Sequence, residues 1–270
     1  MKMKIREWNL MAMAAGLLAA GTLAAAETPT FTALTDWSKD KRVTVSEDGV
    51  LTLKGHRVDI YSTPFTVDPA KKYKFSMEIR RTPGAPEERC YIGNWSISDS
   101  GLRMLPEYVL TVKQTESTLA ADASKGAKTV VIARPANWKD NFHKLYWGLV
   151  FDAKTDLSDL PNASYNRIMA AEADGDNLKL TLQKPLTRDY ASGTAVRIHA
   201  SSSGMYGGLS GKAVPEEWTP ISWTVSGKAP TGNPRGKWWA NTSKGAIRII
   251  ANYSKPSSLE VRNVKMEVVE

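Results

Sequence analysis

The sequence predicts an all-β protein, a two-sheet sandwich carrying a small inserted β subdomain. Three observations lead there. Apolar and polar residues alternate with a period of two in nearly every ordered-looking stretch, the spacing of strands with one buried face. Proline and glycine punctuate the intervals, at Pro64, Pro69, Pro83-Gly84, Pro230, Gly232 and Pro234. After residue 26 no stretch keeps a helical pattern for three turns.

The first segment is set apart from the rest. Met1 to Asn9 carries Lys2, Lys4 and Arg6, Leu10 to Ala26 is uncharged and rich in Ala, Leu, Met and Gly, and Ala24-Ala25-Ala26 precedes Glu27. A basic start, an apolar run and a small-residue exit make residues 1–26 a secretory signal peptide. A membrane anchor would need about 20 strongly apolar residues, and no cysteine follows the run to accept a lipid. The mature protein is therefore expected to be soluble and secreted, periplasmic or extracellular, with no membrane span.

The remaining elements follow in order. Val43-Thr44-Val45, Asp48-Gly49 and Val50-Leu51-Thr52-Leu53 read as two strands and a tight turn, with the glycine supplying a positive φ. Tyr73, Phe75, Met77 and Ile79 share one face of a strand whose other face is Lys74, Ser76, Glu78 and Arg80. Ile221, Trp223 and Val225 alternate likewise, and Ile247-Arg248-Ile249-Ile250 follows. Leu259, Val261, Val264, Met266 and Val268 close the chain, with a phase shift at Asn263 that predicts a bulge.

Residues 113–199 differ in texture. Ser117 to Ile132 opens with small residues and ends in a short apolar strand; Leu149-Val150-Phe151, Ile168 to Ala171 and Leu178 to Leu182 follow, with a turn at Asp174-Gly175 and a last strand over Thr194 to Ile198. This compact set of short strands is read as an inserted β subdomain between a first sandwich part, 27–112, and a second, 200–270. A long decorated loop within one domain is the alternative.

Composition narrows the function. The 270 residues carry 36 Lys+Arg against 28 Asp+Glu, and a charged fraction of 24% beside 42% hydrophobic residues describes a folding chain. One cysteine excludes an internal disulfide and any multi-cysteine zinc cluster. The basic residues are scattered among carboxylates, as at Lys71-Lys72 and Glu78, or Arg80-Arg81 and Glu87-Glu88, where a nucleic-acid protein would gather them on one stripe. They read as a solvated surface, with acidic glycans or cell walls as the other reading.

Outside residues 113–199 the frame resembles the galactose-binding-like jelly-roll family, which includes the carbohydrate-binding modules of bacterial polysaccharidases. The resemblance rests on Asp36-Trp37 and the early hairpin, Phe65-Thr66-Val67-Asp68-Pro69 as an "F-x-V-x-P" step, Tyr73-Lys74-Phe75-Ser76, and Ser258 to Val264 as an "I-x-I-D-N-V"-like ending. It implies a jelly-roll β-sandwich and a polysaccharide or glycan partner. Such modules place a calcium site near the chain ends, but Arg262 stands where an Asp is common, so a structural calcium is the one cofactor considered and no other is expected. The middle block resembles small β units of phage-type and bacterial surface proteins, through Lys125-Gly126, Pro185-Leu186, Tyr190 and Gly193-Thr194-Ala195-Val196. Those units imply display and spacing.

Of the tryptophans, Trp8 lies in the leader and the others are Trp37, Trp95, Trp138, Trp147, Trp218, Trp223, Trp238 and Trp239. Flat aromatic faces suit the apolar C–H faces of pyranoses, and neighbouring polar groups hold the hydroxyls. Adjacent strand residues point to opposite faces, so one of Trp238 and Trp239 is expected to leave the core, with Asn241 close by; one core ring and one rim ring without a ligand is the alternative. Trp95 with Arg89 and Asn94 forms a second candidate set, and Tyr206, among glycines and serines, a third. Trp223 and Trp37 read as packing residues, and Cys90 as a small buried apolar residue.

Catalytic and metal patterns do not emerge. His56, His143 and His199 lack zinc spacing, and there is no Gly-x-Ser-x-Gly elbow. The carboxylates Glu87-Glu88, Asp156, Asp159, Glu172 and Glu216-Glu217 offer no distinguished pair. Asp156 to Pro161 reads as a side-chain-capped turn, with an oxygen-rich calcium loop as the alternative. Asn94, Asn162, Asn241 and Asn252 open Asn-x-Ser sequons. The sequence thus leads to a non-catalytic carbohydrate-binding module that stacks polysaccharide on aromatic rings. A structural or adhesive module with a protein partner is the alternative, and a polysaccharide hydrolase or lyase the third reading.

Overall fold

The computed structural model of the chain describes residues 29–231 and 236–269, so the leader expected over residues 1–26 and the punctuation at Gly232 and Pro234 lie outside the described residues. The chain is an all-β sandwich. Sheet one runs β1 (Val43–Val45), β2 (Leu51–Gly55), β18 (Ser257–Val269), β5 (Lys72–Arg81) and β14 (Thr219–Ser226), all antiparallel. Sheet two runs β13 (Leu209–Ala213), β6 (Arg89–Ser98), β17 (Thr242–Ala251) and β3 (Val58–Tyr61), with β4 (Phe65–Thr66) also on β17. β15 (Lys228–Ala229) and β16 (Trp238–Trp239) form a short parallel pair.

The period-two residues meet between these sheets. Tyr73, Phe75, Met77 and Ile79 from β5 face Cys90 and Ile92 from β6 and Ile247 and Ile249 from β17, all buried. Trp223 lies parallel to Phe75 with ring centroids 5.0 Å apart. Each such side chain stabilises the fold by about 1.5–3 kcal/mol through burial. The early hairpin pairs Val43 with Leu53 and turns at Gly49, whose φ is 79°. In β18, Arg262 opposes Glu78 and Lys265 opposes Ser76, so three residues span what two span on β5. The bulge sits at Asn263, φ 54°. It lets Leu259 and Val261 before it, and Val264 and Met266 after it, all reach the core.

A third sheet takes its strands from residues 117–199, in the order β7 (Ser117–Thr118), β12 (Ala195–His199), β9 (Gly148–Phe151), β10 (Asn166–Asp174), β11 (Asn177–Leu182) and β8 (Thr129–Ala133). It has its own core, in which Leu149, Ile168, Leu180 and Ile198 are buried and Tyr190 stacks on Phe151 at 4.2 Å. The chain enters and leaves side by side: Val112 N–H donates to Ile198 O (3.0 Å) and Ala200 N–H to Leu110 O (2.9 Å). Just before entry comes α1 (Pro106–Val109), a single turn with proline at its start.

The third sheet is tied to that turn by buried charge. Arg197 on β12 is 0% exposed. Its Nη2 donates to Asp159 Oδ2 at 2.8 Å, its Nη1 to Lys154 O at 3.0 Å and its Nε to His199 Nε2 at 3.1 Å. Because Arg can only donate, His199 Nε2 must accept, so the proton sits on Nδ1 and is donated to Glu107 O in α1 at 2.9 Å. Asp159 also accepts from Asn162 Nδ2 (2.9 Å) and Lys154 N–H (3.1 Å), and Asp156 from Ser158 N–H (3.0 Å). The 156–161 segment is therefore the side-chain-capped turn, its oxygens facing N–H donors. Burial alone would raise the Asp159 pKa, but its Asn162, Lys154 and Arg197 donors outweigh that and hold it below the usual range.

Two predictions follow from this network. Asp159→Asn leaves Arg197 buried without its counter-charge and should destabilise the protein by about 3–5 kcal/mol. Urea unfolding measures the loss, and the double change Asp159→Leu with Arg197→Met should recover most of it. Burial pushes the His199 imidazole down from 6.5 to about 4. The unfolded chain therefore takes up that proton first as pH falls. The associated stability is complete above about pH 6.5 and is lost toward pH 4, roughly 3 kcal/mol in all. His199→Gln, which keeps one acceptor and one donor, should flatten that slope in unfolding curves taken between pH 7.5 and 4.

Candidate functional site

The alternation that sends Cys90, Ile92, Ile247 and Ile249 inward sends their neighbours to the outer face of sheet two. There Gly93 and Tyr61 lie in register with Arg248, and Tyr91 and Asp59 with Ile250. The 201–208 segment crosses this face over Gly93. Asn94 N–H donates to Met205 O (3.1 Å), Gly208 N–H donates to Ile92 O (3.0 Å), and a Cβ on Gly93 would overlap the Met205 carbonyl and lie 2.6 Å from Tyr206 Cα. On one side of the crossing Trp95, Ile97, Met104, Val109, Met205, Trp239 and Ala246 close into a small core. On the other side the face stays open as a groove of about 540 Å³.

Tyrosines and guanidiniums line the groove. Arg248 donates to Asp59 through Nε (3.0 Å) and Nη2 (2.6 Å), and to Tyr206 Oη through Nη1 (3.3 Å), while its plane lies 4.2 Å over Trp95. Burial lowers the Arg248 pKa, but Asp59 and Tyr206 outweigh it and the net shift is upward. Tyr91 packs against Tyr206 (5.1 Å) and Tyr253 (4.8 Å). Arg57 lies 4.7 Å over Tyr253. Tyr146 enters from the third sheet, 55% exposed, with Arg167 4.7 Å from its ring and its carbonyl accepting from Tyr165 Oη (2.9 Å). Ser201, Ser202 and Ser203 complete the rim. The arrangement offers aromatic surface, hydroxyls and strong donors, which suits a polar ligand with apolar faces.

The residues expected from sequence are dispersed. Arg89 and Tyr206 lie by the groove: Arg89 Nη2 donates to Ser254 Oγ (2.7 Å) and its guanidinium is 6.0 Å from Tyr253. Trp95 is buried, its Nε1 donating to Met104 O (3.0 Å). Asn94 has core parity and accepts from Trp223 Nε1 (3.3 Å). Asn241, φ 63°, is an exposed turn residue whose Nδ2 donates to Leu160 O (2.6 Å).

The expectation that Trp238 or Trp239 reaches solvent is corrected, since they are 0% and 2% exposed. They do point to opposite sides, but each side has a core of its own. Trp238 meets Phe65, Tyr73 and Phe75 edge-on at 5.8–6.4 Å, and Trp239 joins the small outer core. The sequons at Asn94, Asn162 and Asn252 are likewise buried.

Sequence reasoning missed Arg57, Tyr91, Tyr146, Arg248 and Tyr253. Tyr91 and Arg248 carried a readable signal, the parity opposite to their apolar neighbours. Tyr146 and Tyr253 lie in separate loops and carried none. Cys90 is buried, and burial pushes its thiol up to about 11, which makes it a poor nucleophile. Among the described residues no group of three or more His, Cys, Asp or Glu is placed to hold a metal, and no helix is long and apolar enough to cross a membrane.

No family model and no curated protein matches the chain. Among solved structures it is similar to the crystal structure of an endo-1,3-beta-glucanase from Streptomyces sioyaensis, at 8% identity over 84% of this chain and 78% of that one, with a TM-score of 0.27. A likeness of that size carries no argument about chemistry. The expectation that the chain is not an enzyme is corrected to this extent, that the similar structure is named for an enzyme.

The crossing over Gly93 generates a test. Gly93→Ala places a methyl against backbone atoms that have no rotamer to change, so it should cost about 1–3 kcal/mol. Thermal unfolding reads the loss, and limited proteolysis should show faster cleavage within residues 201–208.

Proposed function

We propose that this chain binds polysaccharide in the groove between Tyr146 and Tyr253. The observation that carries the reading is the convergence there of four tyrosines and two guanidiniums from segments distant in sequence. Sugar rings present apolar C–H faces to aromatic surface, and their hydroxyls take donors such as Arg57 and the serines of the rim. The volume falls within the roughly 300–1,000 Å³ usual for ligand sites. Tyr146 comes from the turn before β9 of the third sheet and Tyr253 from a loop of the sandwich, so a bound glycan would touch both parts. The likeness of the sandwich frame to carbohydrate-binding modules supports the same partner. With the leader expected over residues 1–26, that glycan is met outside the cytoplasm.

Stacking on Tyr146 and Tyr253 sets the size of the effect. Tyr146→Ala or Tyr253→Ala should weaken binding of the best polymer by about 1–2 kcal/mol, roughly tenfold. Affinity gels over a polysaccharide panel, paired with tryptophan fluorescence, measure it. Trp95 is the expected reporter, because Arg248 links its ring to the groove. Unchanged binding in both variants would sink this assignment.

A further inference from the structure

We infer that the polysaccharide taken by this groove is anionic, with its carboxylate or sulfate groups held by Arg57 and Arg89. The inference rests on the glycan-binding reading above and adds the ligand's charge to it. Around the Tyr91–Tyr253 pair stand Arg57, Arg89, Arg248 and Lys255. Against them, among the described residues, stand Asp59, Glu88 and, at the Ser201 end of the groove, Glu107, whose Oε2 accepts from Ser201 Oγ at 3.3 Å. Asp59 is engaged at both oxygens by Arg248. Glu88 turns to the backbone, accepting from the N–H groups of Arg89, Ser254 and Lys255, and its pKa is held low by those donors and by the Lys255 charge, against the opposing and largest effect of burial. Among the described residues neither the Arg57 nor the Arg89 guanidinium has a carboxylate within 4.0 Å, and the two lie 4.7 and 6.0 Å from the one ring of Tyr253.

The way Arg57 is held fits that role. Its guanidinium carbon lies 4.7 Å from the centroid of the Tyr253 ring, and a guanidinium binds carboxylate or sulfate in pairs through its in-plane N–H groups. Its backbone has φ 46° and is pinned by Arg57 N–H to Asn252 O at 2.7 Å. An arginine in the left-handed region carries a steric cost that a glycine would not. The position therefore keeps its side chain against local backbone preference, a pattern found where a side chain has a task.

The experiment compares a neutral galactan, a polygalacturonate and a sulfated galactan by calorimetry on the purified chain. One acidic polymer should bind about tenfold tighter than the neutral one, and raising the salt should weaken it. Preference between the two acidic polymers identifies the carboxylate or the sulfate as the group recognised. Arg57→Gln and Arg89→Gln should each lower that affinity by about tenfold and narrow the gap between acidic and neutral polymer. Arg57→Gly separates recognition from folding, since it suits the backbone: binding should fall while the melting temperature holds or rises.

Four results would overturn the inference. Neutral and acidic polymers bound equally would remove the anion preference and leave the glycan reading standing. Acidic polymer bound equally by the parent and both arginine variants would place the anion elsewhere. Single-stranded DNA bound as tightly as the acidic polymers would mean the groove reads charge without reading sugar. If no polymer binds the parent chain, the glycan reading and this inference fall together.

Discussion

Strands β6 and β17 have to bury two faces, and most of the architecture answers that requirement. Inward, their residues meet sheet one around Phe75 and Trp223. Outward, sheet two would present Trp95, Ile97 and Ala246 to water, and Met104, Val109, Met205 and Trp239 cover them. Those covering residues come from the segments on either side of the third sheet and from β16. The need to close the outer face thus fixes where the third sheet attaches, where the 201–208 segment crosses, and where the open groove begins. Gly93 is the point at which this becomes a matter of atoms, since only a missing side chain lets backbone lie on backbone there.

Polar groups then fix the third sheet against the sandwich. Arg197 has left water, and it is held by Asp159, a carbonyl and His199, which in turn meets Glu107 on the single turn of α1. Thr111 and Thr231 share a hydrogen bond of 2.9 Å nearby, Asn162 N–H donates to Tyr108 O (2.8 Å), and Asn241 reaches Leu160 O. Such contacts are directional where apolar packing is not. They give the junction one arrangement, and so Tyr146 has a defined place beside the groove.

The character of the groove follows from what remains once the large rings are used in packing. Tryptophan is the costliest side chain to leave exposed, and two cores in contact offer enough interior for most of the rings. Tyrosine carries a hydroxyl and arginine a charge, so both tolerate a wet rim while covering apolar surface. The site is consequently one of tyrosine and arginine, with the Trp95 ring packed against Arg248.

Local chemistry made the strands, turns and the bulge at Asn263 legible in the sequence, because strand period, glycine φ and phase shifts are properties of neighbouring residues. Tyr206 was legible beside the site as a ring among glycines, and Arg89 as a polar neighbour of Trp95 on one strand. The fate of Trp238 and Trp239 was not, since parity says that two adjacent rings face apart but not whether each side is covered. Nor was the meeting of Arg57, Tyr91, Tyr146, Arg248 and Tyr253, which are brought together by sheet pairing and by the crossing over Gly93. The sequence by itself determined the all-β class and the inward face of each strand through side-chain alternation. The tertiary structure alone decided which outward faces are closed and which stay open, because that depends on contacts between segments far apart in the chain.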